Sequence, residues 1–162
     1  MTQQQTPATT APMGLGKTDG QAHELTVMVP LKPGGAERTR ERLKEHAGPE
    51  GRARRDAMGN LHDLRIVIFD NDTRLLFATV FDGDWDSYID DFATKMPDLL
   101  DMLFADVDGY PGIHDPGVKD YIKKVQVEAD EFYSAYPDAT VTEIKKGQRV
   151  LKAWEELLDT AN

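Results

Sequence analysis

A chain of 162 residues with 40% hydrophobic and 30% charged residues has a formal net charge of −10 and an isoelectric point near 4.8. That suits a single soluble domain with a real core, and so acidic a surface disfavours nucleic acid and anionic membranes as partners. The absence of cysteine excludes disulfides, thiolate metal sites and a Cys nucleophile, and it fits a reducing compartment.

The opening stretch, MTQQQTPATTAPMGLG, has neither a basic nor an apolar signal region. No apolar run approaches the roughly 20 residues that span a bilayer. A cytoplasmic location is expected. Residues 1–22 are rich in Thr, Gln, Pro, Ala and Gly. They have little to bury against the entropy of ordering, and read as a flexible tail preceding a single domain over 23–162. Gly16-Lys17-Thr18 is like the end of a phosphate-binding loop, but Ala11 stands where its first glycine should be and no strand precedes it.

From His23, Leu25, Val27, Val29 and Leu31 alternate with more polar neighbours as in a half-buried strand, which Pro30 and Pro33-Gly34-Gly35 end. Ala36 to Ala47 reads as a charged helix, stopped by Gly48-Pro49. Glu50 to Asn60, with Arg52, Arg54 and Arg55, reads as a solvated loop or, alternatively, as a gate or anion-steering patch on an acidic protein.

His62 to Gly83 is the centre of the chain. Leu64, Ile66 and Ile68 share one strand face, and Asp63, Arg65, Val67 and Phe69 the other. Asp70 to Thr73 is a turn of residues that bond their own backbone. In the return strand Leu75, Phe77, Thr79 and Phe81 oppose Leu76, Ala78, Val80 and Asp82. Both faces of this hairpin are largely apolar. One should meet helices, and the other another sheet or a second subunit.

Asp84 is a good N-cap for a helix with Trp85, Tyr88, Ile89, Phe92, Ala93 and Met96 on one stripe. Pro97 kinks it or opens a second helix through Leu99, Leu100, Leu103 and Phe104. A Gly/Pro-rich loop, Asp106 to Gly117, leads to a short helix or helix-to-strand passage over Val118 to Val127. Ala129 to Tyr136 alternates like a last strand. A C-terminal helix from about Thr142 is expected to bury Ile144, Val150, Leu151, Trp154, Leu157 and Leu158. This order is the split βαβ pattern of a ferredoxin-like α+β sandwich, an antiparallel sheet with helices on one face, plus an extra C-terminal helix. The second apolar sheet face points to a homodimer.

The stretch H-x-x-R-x-V-I-F-D…R-L-L-F-A-T-V-F-D-G-D-W-D-S-Y-I-D-D-F resembles the dimeric α+β barrel superfamily over roughly His23 to Asp159. Within it the chain is most similar to uncharacterised small proteins related to dye-decolorising-peroxidase-like domains. The resemblance implies a fold that hosts cofactor-free and haem-degrading monooxygenases, chlorite dismutases, peroxidases, lactone isomerases and polyketide cyclases. The G-x-x-D-G core of the haem peroxidases is represented only by the fragment Phe81-Asp82-Gly83, and no residue stands out as a proximal haem ligand.

Candidate catalytic residues are His62, Arg65 and His114. His62 is expected on the Leu64/Ile66/Ile68 face, as a general base or as a locally bonded strand-end histidine. His114 has Asp115 beside it to raise its basicity. Arg65, a charge within an apolar strand, calls for a carboxylate partner or an anionic ligand. Phe77, Phe81, Tyr110 and Tyr133 are candidates for a substrate pocket, or ordinary core. Asp82, Asp84 and Asp86 begin like a calcium loop, but Ser87 and Ala93 occupy its glycine and bidentate glutamate positions, so helix capping is preferred and no metal is expected. The expected function is binding of an apolar small molecule by a dimeric α+β barrel. Its enzymatic form would be a small oxidoreductase, monooxygenase or peroxidase-like, on an apolar or aromatic substrate. The alternatives are a non-enzymatic ligand-binding or assembly module, and a haem-binding protein.

Overall fold

The computed structural model describes residues 16–160. Most of the tail expected at 1–22 lies outside the described residues. Its end does not: Thr18–Asp19 form a short strand, β1, whose residues face His23 and Ala22. Gly16, Lys17 and Thr18 therefore belong to a sheet edge. Lys17 accepts from the Glu24 N–H through its carbonyl and donates its own N–H to the Glu24 carboxylate.

Three long strands follow the expected pattern: β2 (Ala22–Pro30), β3 (Leu61–Phe69) and β4 (Arg74–Asp82). The sheet order is β1-β2-β4-β3 and every neighbour is antiparallel. β2 and β3 thus run parallel on either side of β4, joined by two helices, α1 (Gly35–Glu45) and α2 (Pro49–Ala57). The register aligns Val27, Phe77 and Ile66 across the sheet, and likewise Leu25, Thr79 and Leu64. These residues form the inner face. Asp70, Asn71 and Asp72 make the hairpin turn with three consecutive left-handed φ values of 55, 51 and 65°, a conformation that Asp and Asn tolerate best among residues with a Cβ.

Helices cover that inner face alone. Asp84 caps α3 (Trp85–Lys95) by accepting from the Ser87 N–H at 2.9 Å. Pro97 starts a separate helix, α4 (Pro97–Phe104), because the residue before a proline is pushed out of the helical region; Met96 sits at φ −142° and ψ 49°. α5 (Val118–Val125) completes the layer. Trp85, Tyr88, Ile89 and Phe92 of α3, Leu103 and Phe104 of α4 and Ile122 of α5 are buried against Leu25, Val27, Phe77 and Phe81. Tyr88 stacks flat on Phe81 at 3.8 Å, and Phe77 meets Phe92 and Phe104 edge-on. The result is an α+β domain with a four-stranded antiparallel sheet and one helical layer, of the ferredoxin-like type.

Two expected elements differ. The solvated loop at Glu50 to Asn60 is largely the helix α2. Pro49 starts it, Glu50 lies in its first turn and Arg54 and Arg55 in its last, all favourable to the helix dipole. It buries none of its residues, so no apolar period marks it. The last strand at Ala129 to Tyr136 does not form. The chain pairs with β2 at one bridge, Val27 to Gln126, and the Val127 N–H reaches the Thr26 carbonyl. Beyond that point the β2 edge is already taken by β1 and Lys17. The Ala129 N–H turns instead to the Glu24 carboxylate, and the Ser134 N–H to Asp19. Two segments share one edge, so neither extends into a full strand.

The C-terminal helix α6 (Val141–Thr160) is present. Its expected buried face is not buried: Val150, Leu151, Trp154, Leu157 and Leu158 are 48–62% exposed, and Val141 alone among its residues is buried.

Candidate functional site

Asp82, the last residue of β4, ties three elements together. Its carboxylate accepts from His62 Nε2 at 2.6 Å and from the Val141 N–H at 2.7 Å. The second bond fills one of the orphan donors at the start of α6. Thr140 and Glu143 fill others as a capping box: the Thr140 N–H donates to Glu143 and the Glu143 N–H to the Thr140 hydroxyl. These bonds from Thr140 hold the Glu143 carboxyl below the usual carboxylate range. Thr142 and Lys145 add contacts to Gly59 and Asp56. The first turn of α6 is therefore fixed to the end of the sheet. From Gly147 onward every residue of the helix through Thr160 is exposed.

On that exposed length Val150, Leu151, Trp154 and Leu157 fall at helical spacing on one side, a stripe more than 100° wide. Together they leave on the order of 500 Å² of apolar surface in water, as large as the biggest patch on a typical monomer. The outer face of the sheet is the second apolar surface. There Met28, Leu76 and Val80 are half-buried and Val67 is 46% exposed. Arg65 and Arg74 stand among them, with the Arg74 guanidinium over the Phe69 ring.

The candidate catalytic residues are not brought together. A β-bulge between Leu61 and Asp63 inserts His62 as an extra residue, so it leaves the Leu64/Ile66/Ile68 face and turns to Asp82. This corrects the face expected from simple alternation. Arg65 is 66% exposed and reaches Asp63 of its own strand at 3.3 Å. His114 is exposed on the loop before α5, and its neighbour Asp115 bonds the Gly117 N–H. Of the calcium-like aspartates, Asp82 holds His62 and Val141, Asp84 caps α3, and Asp86 lies 3.4 Å from Lys119. Among the described residues no group of His, Cys, Asp or Glu is placed to share a metal ion.

The four pocket candidates also separate. Phe77 and Phe81 are fully buried in the core. Tyr110 is half-buried, packs on Phe104, and donates its hydroxyl to Asp101 at 2.8 Å; burial and that carboxylate push its ionisation up, so it stays a phenol. Tyr133 is 77% exposed. The crevice between sheet and helices, lined by Phe77, Phe92, Phe104 and Tyr110, measures about 10 Å³, room for no more than one water.

Comparison with models of known protein families, with curated proteins and with solved structures returned no match.

Proposed function

We propose that this protein is a homotypic assembly module, a homodimer in which α6 of each copy lies across the outer sheet face of the other. The observation that carries this reading is the apolar stripe Val150, Leu151, Trp154 and Leu157, exposed on a helix that, among the described residues, is fixed to the fold at its N-terminal end. The exposed stretch 147–160 is by itself short enough to be marginal as an isolated helix in water, so it gains from a surface to pack on. The same chain has such a surface in Met28, Val67, Leu76 and Val80.

Area and charge both favour a second copy as the occupant. Each copy contributes one helix stripe and one sheet face, and burying on the order of 500 Å² of each reaches the roughly 800 Å² per partner of a standard stable interface. Past Val150 the helix carries Glu155, Glu156 and Asp159 against Lys152 alone, and the sheet face presents Arg74, with no carboxylate in range among the described residues, beside Arg65, which holds Asp63 at 3.3 Å. The exchange is symmetric, as a two-fold dimer requires. It keeps the dimer of the barrel expectation and adds the helix to its interface. The 10 Å³ crevice leaves an apolar substrate no room between sheet and helices.

Sedimentation velocity at tens of micromolar should give a dimer. Trp154→Glu with Leu157→Glu should give a monomer whose far-ultraviolet circular dichroism still shows the sheet and the shorter helices. Val67→Glu, on the opposite side of the proposed contact, should also weaken the dimer. A wild-type monomer at that concentration would overturn the proposal.

A further inference from the structure

We infer that the cleft between the α1–α2 corner and the α3–α4 corner binds a small zwitterion, a molecule with an anionic head, phosphate or carboxylate, and an ammonium group. The cleft has a volume of about 570 Å³, within the usual range for small-molecule sites. It is separate from the α6 interface and from the apolar crevice. Its walls come from the end of α1 (Glu45, His46), the first turns and last turn of α2 (Glu50, Arg54, Arg55) and the junction of α3 with α4 (Lys95, Asp98).

Arg38, Arg40, Arg42, Arg52 and Arg65 each have a carboxylate within 4 Å. Arg54 and Arg55 are two of four arginines with no carboxylate in range among the described residues, and neither of the others, Arg74 and Arg149, lines this cleft. The chain is strongly acidic, and Glu45, Glu50 and Asp98 line the same cleft. Those three carboxylates are likewise without a cation in range. Free charges of both signs thus stand around one cavity, the pattern that matches a ligand carrying both. Arginine suits the anionic end because its planar fork pairs with carboxylate or phosphate. Lys95 is less available, since it holds Asp91 at 2.9 Å and the Met58 carbonyl at 3.1 Å.

Two details show that the walls are set by the fold. His46 Nδ1–H donates to the Arg42 carbonyl at 2.9 Å, which fixes the ring and leaves Nε2 to bond elsewhere. Gly51 closes the corner: a Cβ there would come within 2.0 Å of the His46 carbonyl oxygen and 3.5 Å of the Arg55 guanidinium. Only glycine lets α2 pack this tightly on the end of α1, and that contact holds Arg55 beside the cleft.

The test is calorimetric titration of the full chain in low-salt buffer with O-phosphoethanolamine and 4-aminobutyrate, beside inorganic phosphate and ethanolamine as single-charge probes. At least one zwitterion should bind saturably and about tenfold more tightly than either single-charge probe, and which one does identifies the anionic head. Arg54→Ala and Arg55→Ala should each weaken it about tenfold or more. Arg52→Ala, 82% exposed and paired with Asp56 away from the cleft, should leave affinity unchanged. Asp98→Asn should weaken the zwitterion but not inorganic phosphate. No saturable binding of either zwitterion, or equal loss with Arg52→Ala, would overturn the inference.

Discussion

Glu24 shows what one side chain can organise. It sits on β2, 4% exposed, and its carboxylate accepts from the Lys17 N–H, the Thr26 hydroxyl and the Ala129 N–H. It thereby joins the first described residues, the sheet and the segment after α5. Glu24→Ala should destabilise the fold by about 2 kcal/mol, because three donors lose their acceptor in a buried setting. Urea denaturation checks this, and an unchanged midpoint would show that water replaces the carboxylate without loss. In the sequence Glu24 is one polar member of an alternating strand, and besides Thr26 its partners lie 7 and 105 residues away. His62 was legible as a histidine at a strand start but not in its direction. One bulged residue reverses the alternation, and no pattern in His62-Asp63-Leu64 announces it.

At the scale of elements, strong periods were legible and weak ones were not. The alternation in β2, β3 and β4 and the stripe of α3 come from residues that bury a face, and burial writes the period into the sequence. α2 buries nothing, so only its terminal residues mark it. α1 is as polar and buries only Gly35, Ala36 and Thr39, with Leu43 against the core, and ion pairs add to that anchoring. Asp106, just after α4, accepts from Arg38 and Arg42 of α1 at 2.6 and 2.5 Å. The hydrogen bond from Arg38, reinforced by Arg42, holds the Asp106 carboxyl below its ordinary value of 3.8. A carboxyl depressed by folding stabilises the native state above its unfolded pKa, and that contribution is lost as pH falls from 3.8 through the folded value. Wild-type stability should therefore drop through this acid range, and Asp106→Asn should remove that part of the slope. The variant should also lose about 1 kcal/mol at neutral pH, a modest figure because Arg38 is exposed and solvent screens it. Chemical denaturation at pH 7 and at pH 3 reads both effects.

At the scale of the whole molecule, two apolar surfaces stay uncovered among the described residues, the α6 stripe and the outer sheet face. Among the described residues no helix is long and apolar enough to cross a membrane, so the stripe on α6 is not a membrane span. A direct test of its proposed seat uses the absence of cysteine. The double variant Val67→Cys with Trp154→Cys has only the introduced thiols. Mild oxidation should link two copies, and gel electrophoresis without reductant should show a dimer band that reductant removes. Either single variant should give much less, because a thiol on the helix would then lack its counterpart on the sheet. Equal cross-linking in the single variants would mean that the helix does not lie over the partner's strand.

The sequence by itself determined the hairpin, the strand before it, the α3 stripe and hence the α+β layering, because these depend on neighbours two to four residues apart. It also carried the apolar residues of α6 and the arginines of α2. Only the tertiary structure decided what those residues face. The shared edge of β2 replaced the last strand, the anchoring of α6 at Asp82 left its apolar stripe in water, and the packing of Gly51 on His46 gathered Arg54, Arg55 and Asp98 around one cleft. Each outcome depends on competition between distant segments for the same hydrogen bonds or the same surface, and local periodicity contains no record of that competition.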